Sequence, residues 1–217
     1  MSAMVRAHLG AMLFLGAFFG FQFIVTLYLQ ELRGWSSLQT AIALIAMGCD
    51  AVLVPLLTPR LVNRYGHTRV IFGGFLLAAV AYGLFLPVGM DGSYAAMFPT
   101  LIVSGVAFAC AYGPLTIAAT NSVAEEEQGV AGGLLYTFTQ FGSAIGISAV
   151  TAVYGFAVAG GDGSPAAVLD AYRSALVVPV VMVLAGTGIA AFSLLTGGRR
   201  AGDAERGSAT APGTPSA

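Results

Sequence analysis

Lysine is absent from this chain, and the residues that mark a water-soluble surface are scarce with it. All nine basic residues are arginine, and only 9% of the 217 residues are charged, against roughly 25% in an ordinary soluble domain. A chain so poor in charge cannot cover a surface that faces water on all sides, which excludes a soluble globular protein. The net charge is -1, and the arginines stand beside apolar runs instead of clustering on a basic face. That excludes nucleic acid as a partner. Cysteine is equally thin: Cys49 and Cys110 both lie inside apolar runs and read as small buried residues, neither a disulfide nor a metal site. Histidine occurs only at His8 and His67. No pattern calls for a cofactor or a metal.

Long apolar runs fill the space instead. Hydrophobic residues make up 57% of the chain, and six runs, at 8–30, 38–58, 70–88, 94–119, 132–158 and 172–195, are long enough to cross a bilayer as helices. About 20 helical residues rise about 30 Å, the thickness of the hydrocarbon layer. None of the runs alternates as a barrel strand would, and a helix pairs its own backbone in lipid. The predicted fold is therefore an all-α membrane protein, a bundle of six transmembrane helices over 8–196. Residues 1–7 form a short N-terminal segment. From 197 to 217 the chain is rich in Gly, Ala, Ser, Thr and Pro, which predicts a disordered tail. The first run is too long for a signal-peptide core and has no convincing cleavage site, so it stays in the mature chain.

The arginines give the orientation. One side collects Arg6, Arg60, Arg64, Arg69, Arg199, Arg200 and Arg206, and the other has Arg33 and Arg173. The positive-inside rule makes the first side cytoplasmic, with both termini there. Trp35, Tyr94 and Tyr172 fall at run ends, where amphipathic rings favour the headgroup level. Ser122 to Glu125 has capping-box spacing and opens a run of three glutamates, read as a solvated helix start.

Asp50 is the one acid well inside a run. An ionised carboxylate at membrane depth costs roughly 2.5 to 3.5 kcal/mol on insertion scales, so it needs a partner, a water-filled cavity or a task. Polar residues recur at helical spacing nearby: Gln22, Thr26 and Gln30 in the first run, Tyr112, Thr116 and Thr120 in the fourth, Tyr136, Gln140 and Ser143 in the fifth. These stripes form either the wall of a polar cavity or a set of interhelical hydrogen bonds, each worth ~0.6 to 2 kcal/mol. Glycine pairs at 16/20, 129/133 and 142/146 are packing devices, and Gly113-Pro114 is a point where the fourth helix breaks or kinks. An intramembrane protease is the competing class. Its chemistry needs a histidine or a second acid beside the nucleophile at membrane depth, whereas both histidines lie at run edges and Asp50 has no companion acid.

Phe19-Gly20-Phe21 through Tyr28-Leu29-Gln30, then Gly34-Trp35-Ser36-Ser37-Leu38-Gln39-Thr40-Ala41, resemble the start of the C-terminal half of a major facilitator superfamily transporter. The branch most similar is that of the long drug/proton antiporters with two extra central helices. Gln128-Gly129 to Gly133, Gln140-Phe141-Gly142 and Ala144-Ile145-Gly146 continue the resemblance, which spans about 14–195. Residues 59–69 resemble the family's gating loop, Gly-x-Leu-Ala-Asp-Arg-x-Gly-Arg-Lys. Leu61, Arg64 and Gly66 match, and Arg69 follows directly. Pro59, Asn63, His67 and Thr68 replace the glycine, the acid and the two basic residues.

The resemblance implies one six-helix half of a secondary active transporter, moving small amphipathic or cationic compounds outward against protons. Its partners would be the lipid bilayer, the small-molecule substrate, protons and a second six-helix half. The expected substrate or proton residues are Asp50, Gln22, Thr26, Gln30, Tyr112, Tyr136 and Gln140. Because one half alone is present, the chain is expected to be a fragment, a truncated reading frame or a half-transporter that pairs. The alternative is a membrane partner subunit, or a remnant, that keeps the bundle without transporting.

Overall fold

The computed structural model describes residues 3–90, 92–120 and 123–209. Six helical segments among them are long and apolar enough to cross a membrane: Met4–Leu32, Ser37–Tyr65, His67–Phe85, Tyr94–Thr120, Glu125–Ala159 and Pro165–Leu195. They match the six runs one for one, and no strand occurs among the described residues. The helices are α1 (Ala3–Leu27), α2 (Ser37–Leu44), α3 (Asp50–Tyr65), α4 (His67–Phe85), α5 (Tyr94–Thr120), α6 (Gln128–Ala159) and α7 (Pro165–Ala209). The second span thus consists of two helices, α2 and α3.

Most helices overrun the apolar runs by a turn or more. The second continues through Arg60 and Arg64 to Tyr65, because Leu61 and Val62 are half-buried and only Gly66, at φ 79°, turns the chain. No other residue type adopts that φ cheaply. Gly66 is the whole connection, closing α3 and opening α4. The last helix runs on to Ala209, over part of the stretch whose composition reads as disordered. Once a helix is nucleated each added residue gains one bond, so a terminal helix extends readily. Residues 210–217 lie outside the described residues, as does Ser122 of the expected capping box.

Packing resolves the helices into two layers. α3 lies against α5, α5 against α1 and α1 against α6, which makes one row. Behind that row stand α4, packed on α5, and α7, packed on α1, α6 and α4. The most apolar stretch of the first span is 61% buried and that of the fifth 17%, so α1 is the hub and α6 an edge. Aromatic rings fill the hub: Phe14 stands edge-on to Phe75 at 5.2 Å, Phe18 meets Phe108 at 4.6 Å and Phe21 stacks on Tyr82 at 4.3 Å.

Close approach at the α1–α6 crossing depends on glycine. A Cβ on Gly146 would collide with the Gly16 carbonyl, and one on Gly142 with that of Met12. The third glycine pair does not pack, since nothing lies within 4 Å of a Cβ on Gly129 or Gly133. At the far end from Arg6, the Tyr28 hydroxyl donates to Gly89 O (2.7 Å), Arg33 to Met90 O (2.7 Å) and Arg173 to Val88 O (2.9 Å). These bonds satisfy carbonyls left free where α4 ends. Trp35 and Tyr94 meet at this end, 6.0 Å apart. Tyr172 does not serve as an exposed anchor: α7 begins at Pro165, two turns earlier, and the ring is fully buried.

Candidate functional site

Asp50 lies at a break in the second span. Ser36 and Gln39 close a capping box that starts α2, with Gln39 N to Ser36 Oγ at 3.2 Å and Ser36 N to Gln39 Oε1 at 2.9 Å. The helix stops at Leu44, passes a turn at Ile45 and Ala46, tightens into one 3-10 turn at Met47–Cys49, and restarts as α3 with Asp50 in its first turn. Gly105 on α5 faces the 3-10 turn so closely that a Cβ there would run into the Met47 carbonyl and the Cys49 sulfur. α5 admits the backbone here only over a glycine, whereas Pro55 lies inside α3, which runs on through it. Asp50 is half-exposed; its carboxylate meets the backbone N–H groups of Asp50 and Ala51 at the positive end of α3, and no other side chain bonds it among the described residues.

The break expected at Gly113-Pro114 is not there. α5 runs unbroken from Tyr94 to Thr120 with Pro99 and Pro114 inside it. The buried Thr58 hydroxyl donates to Ala109 O at 2.8 Å, and Thr58 presses against Gly113. A neighbouring helix thus braces the turn next to the Cys110 carbonyl, which Pro114 leaves without its helical donor.

The threonine and serine hydroxyls of the polar stripes turn out to be hydrogen-bonded within their own helices. Thr26 donates to Gln22 O at 2.8 Å, Thr116 to Tyr112 O at 3.0 Å, Thr120 to Thr116 O at 3.1 Å and Ser143 to Thr139 O at 2.8 Å. Such back-bonding satisfies the hydroxyl and leaves it no role as interhelical glue. The side chains of Gln22, Gln30, Tyr112, Tyr136 and Gln140 make no hydrogen bond among the described residues. Gln22, Thr26, Gln30 and Tyr112 are half-exposed, and Tyr136 and Gln140 are exposed.

Their distribution over the helices is uneven. Gln22, Thr26 and Gln30 belong to the first span, Asp50 to α3, Tyr112 to α5, and Tyr136 and Gln140 to α6. Every one lies in the front row, and none on α4 or α7. The structure does not gather them into one enclosed chamber. A shallow cleft of about 260 Å³, lined by Trp35, Gln39, Ile42, Ala43 and Tyr94, contains none of them.

At the α3–α4 joint, Leu61 is half-buried, while Arg64, Gly66 and Arg69 are exposed. The Arg64 guanidinium sits 5.4 Å from the ring centre of its neighbour Tyr65. Neither Arg64 nor Arg69 bonds another helix among the described residues, and the Gly66 N–H closes α3 on Val62 O at 2.8 Å.

Sequence reasoning missed a further cluster. Glu31 lies in a π-turn, Tyr28–Leu32, that ends the first span, and its Oε2 accepts from the Tyr172 hydroxyl at 2.9 Å and the Tyr154 hydroxyl at 3.2 Å. The signal was an acid one residue past an apolar run, which reads as an ordinary connector. Nearby, Asp162 accepts from Ser164 N at 2.9 Å, and the hydrogen bonds of Ser164 hold its carboxyl below the usual range.

Six membrane-length helices packed in this way define a multi-pass, all-α membrane protein. The sequence profile of the Major Facilitator Superfamily matches residues 2–147, and the chain belongs to that family. It is similar to the lincomycin resistance protein of Streptomyces lincolnensis, 31% identical over 167 residues that cover 75% of this chain and 34% of that protein. The puromycin resistance protein pur8 of Streptomyces alboniger is 30% identical over 88% of this chain and 40% of its own length. The cephamycin export protein CmcT of Amycolatopsis lactamdurans is 28% identical over 75% and 33%. The chain thus spans about a third to two-fifths of the length of these relatives. It is a multi-pass membrane protein of a transporter family, with drug-resistance exporters among its relatives.

Proposed function

We propose that this chain forms one half of a proton-coupled exporter of small amphipathic or cationic compounds, its front row facing a second six-helix half. The observation that carries this reading is the distribution of polar residues. All seven in-span candidates stand on the row of α3, α5, α1 and α6, and none on the two helices behind. In lipid, a row that exposes Asp50, Gln140 and Tyr136 is costly, whereas against a second half it walls a path. The broken second span supports a site at Asp50, since interrupted helices serve transporters as ion and substrate sites. The names of these relatives, resistance to lincomycin and puromycin and export of cephamycin, support drug-like cargo. The arginine count supports a cytoplasmic side that carries Arg6, Arg60, Arg64 and Arg69, and both termini.

In this reading Asp50 binds a proton or the cationic cargo, and the Gln, Thr and Tyr side chains offer exchangeable hydrogen bonds. Leu61, Arg64, Gly66 and Arg69 form the cytoplasmic joint that holds one of two alternating states. The test is reconstitution. Chain in liposomes with a proton gradient should move a cationic dye only when a second half is present, supplied in trans or fused ahead of residue 1. Flux from verified monomer would overturn the paired architecture, and a silent assembled pair would overturn the transport reading.

A further inference from the structure

Three helical segments meet at Glu31. It projects from the π-turn that ends the first span, and its carboxylate takes one hydroxyl from α6, Tyr154, and one from α7, Tyr172, whose oxygen also lies 3.2 Å from Leu27 O as a longer alternative acceptor. The two tyrosine rings lie 4.7 Å apart, and Tyr28 stands edge-on to Tyr172 at 6.0 Å. Glu31 is exposed, so water at this end reaches it, while Tyr172 is fully buried. The charged groups nearby are engaged elsewhere. Arg33 donates to Met90 O, and Arg173 donates to Val88 O and pairs with Asp170 at 3.2 Å. Among the described residues no cation pairs with Glu31. The carboxylate therefore holds two neutral donors by its own charge, and hydrogen bonds to an ionised acceptor are roughly twice as strong as neutral ones.

The end of α6 depends on this tie. Its close grip on α1 is the glycine crossing at Gly142 and Gly146. Beyond Val150, Thr151, Ala152, Gly155, Phe156 and Val158 are all exposed, the Thr151 hydroxyl bonds back to Ile147 O, and Val153 and the Tyr154 ring supply the apolar contact with the core. Among the described residues, Tyr154 is the polar link from this last stretch to another helix.

We propose that Glu31, Tyr154 and Tyr172 form a proton-operated clasp. Glu31 binds a proton from the side of the membrane that carries Arg33 and Arg173, and its neutralisation frees the end of α6 to swing on the glycine crossing. The clasp belongs to this chain alone, and only its use in gating export rests on the reading above.

Hydrogen exchange of the purified chain in lipid nanodiscs tests it, taken from about pH 8 down through the acid range in which carboxylates take up a proton. Exchange over 150–159 is divided by exchange over a segment of α4 in the same sample, so that the intrinsic pH dependence cancels. In the parent this ratio should rise roughly tenfold on acidification. Glu31→Gln should show the raised ratio at every pH, with no further response. Tyr154→Phe, which removes one hydroxyl and no volume, should also raise the ratio and blunt the response, and it serves where the glutamine variant does not fold. A flat ratio in the parent, or a parent-like response in either variant, overturns the clasp. Failure of the reconstitution assay would leave this result unchanged.

Discussion

Asp50 shows how much a single residue's meaning depends on the backbone beneath it. In an unbroken helix a lone acid among apolar neighbours serves equally well as a packing curiosity bonded to a nearby helix. At the restart of an interrupted span it has the first-turn N–H groups of α3 on one side and no side-chain partner. On the transport reading proposed above, that arrangement would let it exchange a proton for a cation. Asp50→Asn keeps the shape and removes the titration. In the assembled transporter it is expected to cut proton-driven flux roughly tenfold and flatten its dependence on pH. A pH profile of flux and of substrate binding checks this, and a profile identical to the parent's would make Asp50 a packing residue.

The helices divide into those the apolar pattern shows and those it hides. All six spans were legible, because the bilayer demands long apolar runs and little else in the sequence produces them. The interruption of the second span was not, since 45–49 reads Ile-Ala-Met-Gly-Cys, as apolar as its surroundings. The cause lies across the interface, at Gly105 of α5. Gly113-Pro114 carried the stronger local signal and produced no break, because Thr58 of α3 reinforces that turn. Both outcomes are tertiary, and no local pattern encodes them. The candidate polar residues were legible one by one, but not their confinement to one row, which depends on which helices are neighbours. Glu31 escaped because its tyrosines arrive from 123 and 141 residues away. The same distinction separates the glycines. Gly146→Ala sets a methyl against the Gly16 backbone and is expected to cost about 1 to 3 kcal/mol. Gly129→Ala meets open space and is expected to be neutral or slightly stabilising. Unfolding in mixed micelles measures both, and equal effects would show that the α1–α6 crossing is looser than described.

At the scale of the whole molecule, the uneven layers and the uneven arginines make separate demands. The two back helices can face lipid indefinitely, whereas the front row exposes groups that lipid does not solvate. The arginine count predicts which end of that row looks inward. Reporters active on one side only, fused after Ser36, Thr68, Gly92, Gln128 and Asp162, are expected to alternate, with cytoplasmic activity at Thr68 and Gln128. A reporter active outside at Thr68 would invert the assignment.

The joint at Gly66 bears on this motion. A single residue separates α3 from α4, so the two spans have no slack between them, and their helical phases are locked like meshed gears. One inserted residue would turn α4 by about 100°, carrying Gly74 off the Ala111 backbone and Phe75 off Gly186, both of which it now meets. The five-residue connector at 160–164, between α6 and α7, holds no such phase. α3 and α4 are thus coupled rigidly and α6 and α7 loosely, so a swing of the Asp50 helix would carry α4 with it.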